Sequence, residues 1–254
     1  MINKLRIPVV IIMALIMVLA FAEVFYCGDG IVREMYDEAE SDEYYKRMAQ
    51  SFHEQDDSAG DQIILTAKSS TSPFNFCLTG WLCIDDTCID YPVMQEGDDQ
   101  KGFYLDHRAD GNPSGSGCLY IPAGDSVDSD NVIIYGHHMR NGSMFAGLSG
   151  YKDRDWALRH RQIRLITQEG VRRYDVIAVV VESTRNRIFK WDEYIDFASA
   201  DECTGYGVRA QQRSVTRINE GVITPPGVAG YLTLVTCDYS VTDGRLAVIA
   251  VLCE

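Results

Sequence analysis

Three residues in this 254-residue chain carry the functional groups needed for acyl transfer through a thioester. Cys237 ends the run Tyr231-Leu-Thr-Leu-Val-Thr-Cys237, and a short polar loop leads to Gly244-Arg245 and another apolar stretch. Far upstream, Asn131-Val-Ile-Ile-Tyr-Gly-His137 ends in a histidine pair, His137-His138, followed by Met139. A thiolate can attack a carbonyl carbon, and an imidazole can move the protons. A guanidinium can donate to the developing oxyanion and favour the thiolate.

These groups act together only if the backbone assembles them. In an extended strand, Thr233, Val235 and Cys237 share one face, while Leu234 and Thr236 share the other. Arg245, Ala247, Ile249 and Val251 likewise share a face. Pairing the two strands through the loop Asp238–Gly244 would put Cys237 and Arg245 at the same end of a sheet. A lone cysteine near an arginine is more often a buried thiol beside a solvated cation, so the upstream segment matters. Gly136 permits close approach of a neighbour. His137 and His138 point to opposite faces of an extended strand, so only one can face the thiol.

Short β-branched and aromatic runs predict strands at 80–84, 87–91, 118–121, 131–137, 162–167, 173–183, 231–237 and 245–252. Helices are expected at 143–151, 153–160 and 199–212, with Ser143 as a candidate N-cap. Many short strands and few helices point to a mainly β protein built as a closed or nearly closed barrel. Trp156 and Trp191 read as packing residues, and His53, His107 and His160 as solvated.

The N-terminal portion has a different character. Lys4 and Arg6 precede an apolar run from Ile7 to Ala22, extendable to Tyr26, long enough to span a bilayer as a helix. Basic residues before the run and acidic ones after it place the N-terminus in the cytoplasm and the rest outside. A cleaved signal peptide is the competing reading, because Ala20-Phe21-Ala22 resembles a small-residue cleavage site. The length of the run favours an uncleaved anchor over residues 1–26. Residues 27–72 form an acidic spacer: 28–61 carry eleven acids against three bases. Apolar positions at Ile31, Met35, Tyr36, Ala39, Tyr45, Met48, Ala49 and Phe52 predict one or two amphipathic helices there. A polar stretch ending in Ser69-Ser-Thr-Ser-Pro73 precedes the barrel, residues 73–254. The net charge of −14 and the lack of a Lys/Arg cluster argue against nucleic acid as a partner.

Eight cysteines leave an odd number once Cys237 is assigned as a working thiol. A two-residue turn at Asp85-Asp86 would set Cys83 opposite Cys88, close enough for a disulfide. Their C-x4-C spacing without a second pair gives little support to zinc.

The motifs converge on a family. Thr233-Leu-Val-Thr-Cys237 resembles the TLxTC motif of sortases, the transpeptidases of Gram-positive cell surfaces, and Arg245 falls where their active-site arginine is expected. Tyr135-Gly-His-His-Met139 with Asn141-Gly-Ser-Met-Phe-Ala-Gly-Leu148 is similar to the class B segment that carries the catalytic histidine. Gly80-Trp81, Ile89-Asp-Tyr-Pro-Val-Met94, Phe103-Tyr104-Leu105 and Ser116-Gly117 resemble class B landmarks in the right order, so the likeness covers 73–254. Asn75-Phe-Cys-Leu-Thr79 and the pair Cys83 and Cys88 depart from the pattern without touching the catalytic positions.

The resemblance implies a sortase-like closed barrel of about eight strands and assigns catalysis to His137, Cys237 and Arg245, with His137 preferred over His138 because it directly follows the glycine. It also implies a substrate: a surface protein with an NPxTG-like C-terminal sorting signal, cleaved at a Thr carbonyl. The acceptor would be an amine of a peptidoglycan precursor. Val235, Thr236, Asp238, Tyr239 and His138 are candidate substrate-binding residues. The implied chemistry calls for no cofactor and no metal. Three alternatives remain open at this point: a pilin-polymerising sortase, a cysteine protease hydrolysing the same thioester, and an exported cysteine-rich binding or redox module.

Overall fold

The computed structural model describes residues 6–56, 78–218 and 230–253. Helix α1 runs unbroken over Arg6–Asp56, where the sequence suggested an anchor followed by one or two separate helices. Most side chains of the apolar stretch lie outside the described residues, as do residues 1–5 and the polar boundary at Ser69–Pro73. No helix among the described residues is long and apolar enough to cross a membrane.

Eight strands close into a barrel: β1 Leu78–Cys83, β2 Asp90–Gln95, β3 Leu119–Ile121, β4 Asn131–Tyr135, β5 Gln162–Thr167, β6 Gly170–Ser183, β7 Tyr231–Asp238 and β8 Gly244–Leu252. Their order around the barrel is β1-β2-β3-β4-β7-β8-β6-β5, with β5 pairing back to β1. The β2–β3 and β4–β7 contacts are parallel. The other ladders are antiparallel. Helices α2 (Arg154–Arg159) and α3 (Ala200–Arg213) and the 3₁₀ segment Phe145–Lys152 fall close to the expected 143–160 and 199–212.

Strands β4, β7 and β8 read as near-continuous apolar runs because both of their faces are covered. Ile134, Leu232, Leu234, Leu246 and Val248 fill the barrel interior. Ile133, Tyr231, Val235, Ala247 and Ile249 face a second core, completed by Trp191 and by Tyr206 and Ala210 of α3. Asn131 joins the layers within this second core: its amide donates to the Tyr194 carbonyl (2.8 Å), and its Oδ1 accepts from Thr233 Oγ1 (2.8 Å).

The first hairpin departs from expectation. Ile84 N–H donates to the Ile89 carbonyl (2.9 Å), so the turn spans 85–88 and Cys83 stands opposite Asp90. Cys88 therefore lies within the turn, and both thiols are free. The disulfide expectation is corrected by this register. Strand β2 accordingly starts at Asp90, not at residue 87. Ser143 is not an N-cap: Met144 holds that place without a side-chain bond, while Ser143 Oγ donates to Asn141 Oδ1 (2.8 Å). His107 and His160 are packed rather than simply solvated, lying against the rings of Phe103 and Trp156.

Helix α1 docks through one stripe. Ser41 and Tyr45 are buried, and Met48 packs against the barrel core, while Phe52 stacks on Trp81 with centroids 4.3 Å apart. This i, i+4, i+7, i+11 spacing is the seam of an amphipathic helix. Met35 and Tyr36, expected on the same apolar side, are exposed. Part of the acidic face also docks: Asp37 accepts from the Gly115 N–H (2.8 Å), and Glu40 pairs with Arg108 (3.0 Å).

Candidate functional site

The candidate residues sit where β4 and β7 end and β8 begins. In the antiparallel β7–β8 ladder, Cys237 and Arg245 are direct register partners. Both belong to the face that carries Val235 and Ala247, as strand alternation requires. Strand β4 joins β7 in parallel with Ile133 opposite Thr233 and Tyr135 opposite Val235. Extending that register two residues past the end of β4 would set His137 level with Cys237. The approach is fixed from both sides: Gly136 N–H donates to the Val235 carbonyl (3.2 Å), and Thr236 Oγ1 donates to the Gly136 carbonyl (2.8 Å).

Gly136 is required there by space. A Cβ at this position would lie 2.4 Å from Leu119 Cδ2 and 2.8 Å from Phe145 Cδ2, well inside van der Waals contact. Any side chain would push apart the barrel wall that delivers His137.

The two histidines part as expected. His137 Nε2 lies 2.7 Å from the Leu105 carbonyl. A carbonyl only accepts, so Nε2 carries the hydrogen and Nδ1 holds the lone pair in the neutral ring. His138 instead places Nδ1 2.9 Å from the carbonyl of Cys237, bracing the strand that carries the thiol. Among the described residues no hydrogen bond joins His137 to the Cys237 thiol. The Cys237 side chain is half-buried.

The remaining candidates divide by exposure. Val235 (1% exposed) and Thr236 (3% exposed) are buried in the strand and shape the site from within. Tyr239 is exposed; its hydroxyl donates to the His138 carbonyl (3.3 Å) and its ring rests edge-on to His138. Asp238 is buried, and its carboxylate is already engaged by the Lys152 ammonium and by Ser240. Burial raises the Asp238 pKa, but bonds from Lys152 and Ser240 outweigh it and hold the carboxyl below its ordinary value. The Ser240 N–H bond to Asp238 Oδ1 (2.8 Å) also sets the turn that returns the chain to Gly244 and Arg245.

Lys152 and the Leu105 carbonyl were missed from sequence. A backbone carbonyl has no sequence signature, and Lys152 is one lysine at the end of the 3₁₀ segment Phe145–Lys152. Glu182, the β6 neighbour of Arg245, was missed as well. Its carboxylate accepts from the N–H groups of Ile188 (2.8 Å) and Phe189 (2.9 Å), which pins the loop beside the arginine.

Two other thiols lie deep in the fold. Cys118 is fully enclosed, and burial pushes its pKa up to about 12. Cys83 is pushed up further by burial and by Asp90. With His53 and Asp90, Cys83 forms a group of metal-ligating side chains, away from the strand ends just described.

A closed eight-stranded barrel that brings a cysteine, an arginine and a glycine-led histidine to one set of strand ends defines a thiol acyl-transfer scaffold. The family profile described as the Sortase domain matches residues 82–253, and this chain belongs to the sortase family. Its relatives are of class B. It is 34% identical over 165 residues to sortase B of Listeria monocytogenes, an alignment covering 63% of this chain and 63% of that protein. It is 22% identical over 244 residues to sortase B of Staphylococcus aureus, covering 94% of this chain and 95% of that protein. The structure of a Staphylococcus aureus sortase B–substrate complex superposes with a TM-score of 0.71 at 20% identity, covering 87% of this chain and 99% of that one. At that identity the likeness is one of fold.

Proposed function

We propose that this chain is a cysteine transpeptidase of the sortase B type, acting on a C-terminal sorting signal of surface proteins. The Cys237 thiolate attacks the carbonyl carbon of a Thr in the signal. As the C–N bond breaks and the thioester forms, imidazolium His137 gives a proton to the departing amine. His137, neutral again, takes a proton from the incoming amine as that amine displaces the thiolate, so protons balance over the cycle. Arg245 and the backbone N–H near Asp238 donate to the oxyanion formed in each half-reaction. The acceptor is an amine of a peptidoglycan precursor, and the product is a surface protein joined to the wall.

One observation carries this reading: Cys237 and Arg245 are cross-strand partners, with Gly136 and His137 fed in from the adjacent parallel strand. The relatives named sortase B support the same reaction class. Residues 1–26 supply a membrane anchor in this proposal, with the N-terminus inside and the barrel outside. The apolar run and its flanking charges support that orientation. Tyr239 and His138, at the exposed rim beside Cys237, contact the signal, while Val235, Thr236 and Asp238 hold the wall behind it.

The test is product analysis with the full chain in detergent, an NPxTG-like peptide and an added amine. The expected result is a peptide–amine conjugate whose yield rises with amine concentration. Cys237→Ala should give neither conjugate nor acyl-enzyme. Hydrolysed peptide alone, at every amine concentration, would replace the transferase reading with a protease.

A further inference from the structure

We propose that His53, Cys83 and Asp90 form a binding site for a zinc ion that fastens helix α1 to the first hairpin of the barrel. The three come from separate elements. His53 lies near the end of α1, Cys83 ends β1 and Asp90 begins β2. Cys83 and Asp90 are opposite one another in the β1–β2 ladder. The hairpin register that separates Cys83 from Cys88 is what pairs Cys83 with a carboxylate.

The donor atoms are already gathered. His53 Nε2 lies 2.8 Å from Asp90 Oδ2, and Cys83 Sγ lies 3.2 Å from Asp90 Oδ1. All three ligand atoms fall within 4.8 Å of one another. Tetrahedral zinc, with bonds of about 2.0–2.3 Å, sets its ligands roughly 3.3–3.8 Å apart. Replacing the hydrogen bonds by metal bonds therefore asks for shifts of about half an ångström at the carboxylate contacts and of up to about an ångström between the imidazole and the thiol. One imidazole, one thiolate and one carboxylate suit a borderline-soft ion, whereas calcium or magnesium would call for an all-oxygen cage. The fourth position is left to water.

The surroundings support a cation. Trp81 Nε1–H donates to Asp90 Oδ1 (2.6 Å), and Phe52 stacks on the same indole, so the carboxylate is oriented by a second layer of contacts. The neighbouring guanidinium of Arg164, on β5 opposite Cys83, is paired with Asp85 (2.6 Å). That pairing offsets part of its charge, and the guanidinium also interacts with Cys83 and Asp90. A thiolate and a carboxylate then balance a divalent ion. The His53 side chain is 46% exposed, which gives the ion a path from solvent. Binding forms Zn–N, Zn–O and Zn–S bonds and releases the thiol proton to water.

The experiment uses the full chain in detergent, reduced and freed of metal, titrated with cobalt(II) as a spectroscopic stand-in and then with zinc(II). One equivalent of cobalt should produce a thiolate-to-metal charge-transfer band, which zinc should erase. Cys83→Ser should lose the band, whereas Cys88→Ser and Cys237→Ala should keep it. His53→Ala, a surface change that leaves the barrel core intact, should weaken binding at least about tenfold. Zinc should raise the melting temperature of the natural chain more than that of His53→Ala. Absence of the band, its survival in Cys83→Ser, or unchanged affinity in His53→Ala would each overturn the site.

Discussion

The strand ends of β4, β7 and β8 and the seam between α1 and the barrel hold their polar groups by different means. At the strand ends, position is set by register: Cys237 faces Arg245 because β7 and β8 pair in a ladder buried on both sides. Moving any of these residues would mean sliding a strand, which would turn its apolar side chains out of both cores. At the seam, position rests on separate side-chain contacts between distant residues, such as Tyr45 with Gly117, Ser41 with Ser114 and His53 with Asp90. Each contact can be lost alone. Residues that must meet to a fraction of an ångström lie where the backbone is most determined, while the helical attachment depends on contacts that can open locally.

The largest effects should come from the register-held residues. His137→Ala should lower the transpeptidation rate by about 10²–10⁴-fold, the usual contribution of a positioned proton shuttle. His138→Ala should cost much less, because its ring braces the Cys237 carbonyl and the proposed mechanism gives it no proton to move. Equal losses in steady-state assays of the two variants would undo that assignment. Arg245→Lys should follow, with a loss of about 10²-fold, because an ammonium cannot reproduce the guanidinium fork opposite Cys237. Natural activity in that variant would remove Arg245 from the site.

Much of this half of the molecule was legible in the sequence, for a physical reason. Strands buried on both faces leave uninterrupted apolar runs, so β4, β7 and β8 appeared nearly to the residue, and alternation then fixed which side chains share a face. The first hairpin was harder to read. Pro92 argues against a strand, yet it precedes the stretch of β2 that pairs with β3, where a missing N–H is tolerated. With β2 displaced, Cys83 and Cys88 seemed to be partners. The apolar stripe of the α1 seam, Tyr45, Met48 and Phe52, was legible, but its polar contacts were not, since nothing local to Ser41 or Asp37 announces a serine or a glycine some seventy residues away.

A smaller effect lies at the strand ends, at Lys152 and Asp238. Asp238 is 2% exposed and directly follows Cys237. Lys152→Met would leave it without its cation, at a cost of about 2–4 kcal/mol. The sign with pH follows from the direction of the shift. The folded-state pKa of Asp238 is depressed, so its stabilisation is present above the unfolded carboxylate value, about 3.9. It is lost as pH falls through the folded value. Denaturant melts should therefore show a gap between natural chain and variant that is full at neutral pH and narrows in acid. A gap of constant size would mean that Lys152 acts by packing its stem and not by charge.

The smallest effect should be Tyr45→Phe, and it separates the two regions most directly. The Tyr45 hydroxyl donates to the Gly117 carbonyl (2.7 Å) and accepts from Ala109 N–H (3.4 Å), all at a site where the ring is 3% exposed. Removing one oxygen leaves both backbone groups without that partner, at a cost of about 1–2 kcal/mol, while the ring keeps its edge contacts with Tyr44 and Tyr91. Because the lost bonds span the seam and none belongs to the barrel ladders, the loss should fall on the docking of α1. Amide exchange should accelerate in residues 37–56 and in the 104–118 loops, with β7 and β8 unchanged. Equal acceleration in β7 and β8 would show that helix and barrel open as one unit, and that the strand ends are no more firmly held than the seam.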